Sequence, residues 1–460
     1  MIRKPQFLIG AATSGSGKTT FTMGLLYALK SRGMNVQPFK CGPDYIDTQF
    51  HSVASGNISV NLDTWMSSER HVAALYGSYG KDADVCVIEG VMGLFDGYDK
   101  MKGSSADISR LLDIPVILVV NAKSVAYSVA PLIHGFSTYH PGVRIAGVVF
   151  NQVSSASHYK FLKDACSDID VPCLGYLPKD DRLKVPSRHL GLTLMAKKNI
   201  EEIASAAAGL IEEYVDIDLL LSVTDVPFVH EGNFPTSFSG LNINTDTDAG
   251  ANRPFRISVA YDEAFNFVYR ANIDRLKCIG DVRYFSVLHT DDLPDSDFVY
   301  IPGGYPELFA EQISRNTKLL CQLKEFSDRG GRIFAECGGF MLLSESITLS
   351  DGIKYPMAGV FPIECTMEGA RLHLGYRQAD YHGIRMRGHE FHYSKISTKV
   401  PHLSASESDG LDSCGKMTSE VIQYNARGEA TDTSLFRYKN TLAGYTHWYW
   451  GETDLMRLYR

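Results

Sequence analysis

"GAATSGSGKTT", residues Gly10–Thr20, falls one glycine short of a standard phosphate-binding loop. The pattern G-x-x-x-x-G-K-[ST] needs backbone N–H groups aimed at phosphate, a lysine to offset charge and a hydroxyl for a divalent cation. Here Ala12 replaces the first glycine, and Gly15, Ser16, Gly17, Lys18 and Thr19 complete the loop. A small residue fits that first position if its φ is negative. The loop follows an apolar run, QFLIG, and opens a helical pattern, so a helix N-terminus also faces the anion. Strand, glycine-rich turn and helix in that order predict a nucleotide site on a doubly wound α/β sheet.

Outward from the loop, the first 200 residues keep alternating. NVQPFK, VCVIEGV, PVILVVNA and IAGVVFN are short β-rich runs, with helical patterns such as 18–32 and 128–134 between them. Such alternation places ligands at the carboxyl ends of parallel strands. A long amphipathic stretch, MAKKNIEEIASAAAGLIEEYV, closes the unit. Periodicity collapses between residues 223 and 253, rich in Gly, Asn, Thr, Asp and Pro, and that stretch is expected to be a linker. RISVAYDEAF then starts a second α/β unit. The expected organisation is two three-layer α/β domains, 1–222 and 254–460, joined by 223–253. With 460 residues, two or three domains are the prior in any case.

Composition narrows the partners. A net charge of −8 argues weakly against nonspecific nucleic-acid binding and favours no particular partner. No apolar run reaches the roughly 20 residues a membrane span needs. Nine cysteines without C-x-x-C pairs suit a reducing cytoplasm and neither a disulfide framework nor a zinc module. Oligomeric state is left open, a homodimer included.

Acids gather where the loop's phosphates would lie. KCGPDYIDTQFH follows the second strand and IEGVMGLFDG the third. Glu89, ending an apolar strand, suits direct or water-mediated Mg²⁺ binding. Asp44, Asp47 and Asp96 lie near the same edge, although Pro-Asp and Asp-Gly are also common turn pairs. Asn151, after IAGVVF, is placed to read an adenine edge or to cap a turn.

The second unit carries a different chemistry. In RIFAECGGFMLL a β-rich run ends at Glu336, Cys337 sits at the corner and a helical pattern follows two glycines. This is a strand–nucleophile–helix elbow, whose helix N-terminus favours thiolate. Gly303 and Gly304 in YIPGGYPE are candidate oxyanion donors. His447, ending the apolar run LAGYT, is the candidate base, preferred to His389 and His392 inside the alternating run RGHEFHYS.

The elbow, the PGGYPE loop and His447 resemble class I glutamine amidotransferases. The first half resembles the dethiobiotin-synthetase-like branch of phosphate-loop proteins. Together, GPDYID, EGVMGLFDG, PGGYPE, AECGGFM and RGHEFHYS closely resemble the cobyrinate a,c-diamide synthase family along essentially the whole chain. The resemblance implies ATP- and glutamine-dependent amidation of the a and c acetate arms of a corrin or related tetrapyrrole. ATP would convert each carboxylate to an acyl phosphate, and ammonia released at Cys337 would attack it, which calls for an enclosed route. It implies that Gly15, Ser16, Gly17, Lys18, Thr19 and Thr20 bind phosphates, and that Thr19, Asp47 and Glu89 serve Mg²⁺. Asn151 would touch adenine, and Asp44, Tyr45 and Asp96 would face the substrate carboxylates or the intermediate. The wider amidotransferase pattern H-x-E is missing: Trp448 and Tyr449 follow His447, so a Cys–His dyad is expected, with Glu452 a nearby acid of no assigned role. Two other readings compete. Ni-sirohydrochlorin presents similar acetate arms, and a ParA/MinD-like positioning ATPase uses a related loop, but with a lysine where Thr13 stands and with no need of a cysteine elbow.

Overall fold

A computed structural model of the chain describes residues 2–183, 194–228, 254–397 and 417–459. Two compact units divide the described chain, one up to Phe228 apart from the interrupted stretch, the other from Pro254 onward.

The first unit is built on β1 (Arg3–Ala11), β2 (Val36–Cys41), β3 (Val60–Leu62), β4 (Val85–Glu89), β5 (Val116–Asn121), β6 (Ile145–Val153), β7 (Cys173–Pro178) and β8 (Asp225–Pro227). The sheet order is β3-β2-β4-β1-β5-β6-β7, with β8 added antiparallel to the first residues of β1. All other pairings are parallel. Strands covered on both faces read as unbroken apolar runs, and Phe7, Leu8 and Ile9 of β1 are fully buried at its centre. The expected helices form, the first over Lys18–Ser31, the second over Val129–Thr138 (several residues longer than its sequence pattern) and the closing one over Leu194–Tyr214. Residues 223–228, counted with the linker from sequence, finish a helix and form β8; the rest of that stretch lies outside the described residues. Loops leaving the carboxyl ends of β1, β2 and β4, neighbours in the sheet, carry the phosphate loop and the acids.

The second unit has β9 (Arg256–Ala260), β10 (Asp281–Phe285), β11 (Phe298–Ile301), β12 (Arg332–Glu336), β13 (Ser346–Thr348), β14 (Lys354–Pro356), β15 (Glu364–Thr366), β16 (His373–Tyr381), β17 (Ile384–His392), β18 (Lys395–Ile396), β19 (Thr418–Tyr424), β20 (Ala430–Tyr438), β21 (Thr441–Gly444) and β22 (Thr446–Tyr449). Ten strands form one sheet in the order β10-β9-β11-β12-β21-β20-β19-β16-β17-β22, and β14-β13-β15-β18 make a small second sheet. Period-two alternation sorts the parallel part into two cores. Val299, Ile301, Ile333 and Ala335 face one cluster with Phe340 and Phe436; Phe298, Tyr300 and Phe334 face another with Trp448 and Trp450. β21 and β22 are consecutive pieces of one strand, parted only by Tyr445. One pairs with β12 and β20, the other with β17, so the antiparallel arm returns on itself beside the end of β12.

Candidate active sites

The phosphate loop has the backbone its sequence calls for. Gly15 and Gly17 take φ of 76° and 97°, where a side chain is strained, and Ala12 is not among the positive-φ residues. The absent first glycine is therefore no defect in this loop. A Cβ on Gly17 would run into the Asn151 amide. That amide donates to the Ser16 carbonyl at 3.0 Å, so Asn151, 7% exposed, supports the loop from beneath. The Ser16 hydroxyl closes the turn on the Thr13 carbonyl at 2.9 Å, and Thr20 follows half-buried in the first helical turn. Lys18 donates to the Met92 carbonyl at 2.6 Å, and burial holds its pKa below the usual lysine value.

Behind the loop lies a buried polar cluster. Thr19 Oγ1 donates to Glu89 Oε1 at 2.7 Å. Lys40 Nζ stands 2.9 Å from the same oxygen and 2.7 Å from Asp47 Oδ2, and His51 Nε2 lies 2.6 Å from Glu89 Oε2. All four ionisable groups are within 6% of full burial. Burial alone would neutralise them. Instead the two carboxylates hold the Lys40 ammonium charged, and Lys40 with His51 keeps Glu89 well below the usual carboxylate range. Burial and neighbouring Asp44 push Asp47 up to about 6 despite its lysine. A threonine hydroxyl beside an ionised carboxylate is a hard-oxygen donor set of the kind Mg²⁺ takes. Asp47 reaches that set only through Lys40. Sequence reading missed Lys40 and His51, although both lie in the quoted KCGPDYIDTQFH; a lysine at a strand end gives no sign that it is buried.

The remaining acids have local work as well. Asp44 Oδ1 accepts from the Ile46 and Asp47 N–H groups at 2.8 and 2.9 Å and so starts the helix Ile46–Ser55. Tyr45, at the same corner, is buried. Asp96 is exposed, and its carboxylate accepts from Gly93 N–H at 3.0 Å within the turn.

In the second unit Cys337 takes φ 50° and ψ −105°, a conformation costing about 1–3 kcal/mol in a non-glycine residue. The ladder between β12 and β21 ends at Glu336 and Gly444, and Cys337 N–H donates to the Gly444 carbonyl at 2.7 Å as the chain turns. Cys337 Sγ lies 3.6 Å from the Phe391 carbonyl, in β17, the strand that pairs with the one carrying His447. Gly444, which accepts from Cys337 N–H, lies three residues before His447 on the same run of chain, which supports His447 as the partner of Cys337. His389 sits opposite His447 in the β17–β22 ladder. His392 is engaged with Glu390 and the Ser394 carbonyl, both at 2.7 Å, and stacks on Tyr445. Glu452 is exposed.

The backbone N–H groups facing the sulfur belong to Gly304 and Gly338. Of the expected oxyanion pair, Gly304 is at the sulfur. Gly303 instead makes room: a Cβ there would strike the His447 ring, and its carbonyl accepts from Phe267 N–H at 3.0 Å. Gly338 is a donor that the elbow's sequence does not single out. The thiolate expected from the helix N-terminus is outweighed. Burial, with Glu307 next, pushes the Cys337 thiol well above its ordinary value despite the two N–H groups. Burial of Glu307 pushes its own carboxyl up to about 7. Burial, then neighbouring His389 and His392, push His447 down to about 3, so both this imidazole and the Cys337 thiol are neutral at neutral pH. Among the described residues, His373, Glu390 and His392 bring ligand atoms within 4.8 Å of one another. The two rings stack at 1°, so their in-plane lone pairs do not converge, and Arg377 and Thr433 already hold Glu390.

Comparison with known proteins covers both units. Residues 7–192 match the family model of the CobQ/CobB/MinD/ParA nucleotide binding domain, and residues 256–455 that of the CobB/CobQ-like glutamine amidotransferase domain. The cobyrinate a,c-diamide synthase of Caldanaerobacter subterraneus subsp. tengcongensis is 37% identical over 96% of this chain and 94% of its own. That of Picrophilus torridus is 38% identical over 96% and 94%. The hydrogenobyrinate a,c-diamide synthase of Brucella abortus is 39% identical over 85% and 89%. The first family model also embraces MinD and ParA, but the amidotransferase match and the full-length relatives rule out a positioning ATPase. An ATP-dependent, glutamine-hydrolysing ligase with a phosphate-loop domain and an amidotransferase domain, this chain belongs to the cobyrinate a,c-diamide synthase family.

Proposed function

We propose that the protein amidates the a and c acetate side chains of cobyrinate, using ATP to activate each carboxylate and glutamine as the nitrogen donor. The observation that carries this is the coexistence in one chain of the Thr19–Glu89 pair behind a phosphate loop and of Cys337, at a strained strand–helix corner, held to Gly444 three residues before His447. Relatives named for cobyrinate and for hydrogenobyrinate supply the substrate class.

A carboxylate is a poor electrophile at neutral pH, and an acyl phosphate supplies the leaving group it lacks. Gly15, Gly17 and Lys18 hold the phosphates, with Asn151 bracing the loop through the Ser16 carbonyl. Thr19 and Glu89 would hold Mg²⁺, with Asp47 beside them. Bound there, the ion offsets charge on the transferring phosphoryl group. Asp44, Tyr45 and Asp96 lie on the loops that follow β2 and β4 and would meet the substrate arms. In the second unit His447 takes the Cys337 proton as the sulfur attacks the glutamine carboxamide, and Gly304 and Gly338 N–H groups receive the oxyanion. His447 then gives the proton to the departing ammonia, and water releases glutamate from the thioester.

The test is product mass analysis with ATP, Mg²⁺ and glutamine. Cobyrinate should gain two amides, each lowering the mass by about one dalton, whereas Ni-sirohydrochlorin should not turn over; the reverse pattern would reassign the substrate. Lys18→Ala should abolish amidation with either nitrogen source. Cys337→Ala should abolish it with glutamine and spare it with ammonium chloride; loss of both would refute the division of labour.

A further inference from the structure

Among the described residues, the strand that carries His447 has a backbone neighbour on one edge alone. β21 pairs with β12 as far as Glu336 and Gly444. There β12 turns into the elbow at Cys337, while the other strand runs on as β22 with β17 on its opposite edge. Backbone groups left open on such an edge cost free energy when buried. Two side chains stand in for the missing strand. Glu336 Oε1 accepts from Trp448 N–H at 2.8 Å, Asn272 Nδ2 donates to the Trp448 carbonyl at 2.8 Å, and Asn272 Oδ1 accepts from Trp450 N–H at 2.9 Å. Tyr300 in turn donates to Glu336 Oε2 at 2.8 Å. Glu336 is 2% exposed and Asn272 fully buried.

We infer that Glu336 is a positioning residue for the glutaminase dyad, with Asn272 as its second arm. Glu336 adjoins the nucleophile in sequence, and its carboxyl grips the peptide adjoining the base, so one side chain sets the spacing of Cys337 and His447. It does through the backbone what the absent carboxylate of H-x-E does through the imidazole. Burial pushes Glu336 up to about 8, in keeping with a group that acts as a hydrogen-bonding clamp and not as a counter-charge. This inference rests on the Cys337–His447 reading above.

The experiment compares glutamine-dependent and ammonium-dependent amidation in Glu336→Ala and Glu336→Gln. Glu336→Ala should lower kcat with glutamine about 100-fold, the effect of displacing a reacting group by about 1 Å. KM for glutamine and the ammonium-dependent rate should stay near the wild-type values. Glu336→Gln keeps an acceptor for Trp448 N–H and a partner for Tyr300, and should restore most of kcat. A wild-type kcat in Glu336→Ala, or equal loss in Glu336→Gln, would overturn the inference. If Glu336→Ala does not fold, Glu336→Asp retracts the carboxyl by one methylene and should show the same kcat loss at unchanged KM; an unchanged kcat overturns it equally. Cys337→Ala in the same assays separates the two readings, because retained glutamine-dependent activity there refutes the dyad itself.

Discussion

Replacing Lys40 by methionine removes the ammonium shared by Asp47 and Glu89 and keeps most of the aliphatic stem. Lys40 is 3% exposed and stands 2.7 and 2.9 Å from the two carboxylate oxygens, so neither acid gains water in exchange. Removing one partner of such a buried pair costs about 3–5 kcal/mol. In a unit of roughly 200 residues each kcal/mol moves Tm by about 2–4 °C, so the first unit's transition should fall by about 6–20 °C. Scanning calorimetry of the full chain measures this, with that transition identified by its rise on adding ATP and Mg²⁺. Its pH dependence follows from the shifts. Glu89 is depressed, so its contribution is present above its unfolded value of about 4.3 and is lost as pH falls. Lys40 is raised, so its contribution is complete below its unfolded value of about 10.4 and is lost as pH rises through the folded one. Asp47 is held near 6, so Lys40 faces two carboxylates only above that value, and the gap between wild type and Lys40→Met should be widest between about pH 6 and 10 and should narrow below about pH 6 and again below about pH 4. Adding Asp47→Asn to Lys40→Met should recover part of the loss. A shift under about 2 °C at pH 7, less than a single kcal/mol accounts for, would refute the buried network as described.

Gly17→Ala forces a side chain into a left-handed conformation, worth about 1–2 kcal/mol, and into the Asn151 amide. The KM for ATP should rise about tenfold or more with either nitrogen source, read from steady-state rates. Gly303→Ala pushes a Cβ against His447, and glutamine-dependent kcat should fall while the ammonium-dependent rate holds. Because burial raises the Cys337 thiol, alkylation by iodoacetamide without glutamine should be slow at pH 7 and climb only above the ordinary thiol value of about 8.5, as followed by mass spectrometry. Because His447 is held near 3, kcat/KM for glutamine should show no acid limb at the ordinary imidazole value of about 6.5.

Both loops were legible because each is a local event. A buried strand, a turn that needs glycine and a helix start leave their marks within a dozen residues at Gly10–Thr20 and again at Arg332–Leu343. The partners that tune those loops were not. Asn272 meets Trp448 across 176 positions, and Lys40 meets Glu89 across 49. No period in sequence records such meetings. Gly338 shows the same limit at short range: its place in the elbow was plain, but that its N–H faces the sulfur beside Gly304 depends on how the PGGYPE loop folds over β12. The missing glycine at Ala12 is tolerable on φ alone, and Ala12 is not among the left-handed residues.

The buried lysine also stiffens the floor beneath the phosphate loop. Lys40 ends β2 and ties Glu89, at the end of β4, to Asp47 in the first turn of the helix Ile46–Ser55. Moving that helix away from β4 has to strip a carboxylate from the ammonium where water does not reach, so this edge of the sheet resists opening and any rearrangement falls to the loops above it.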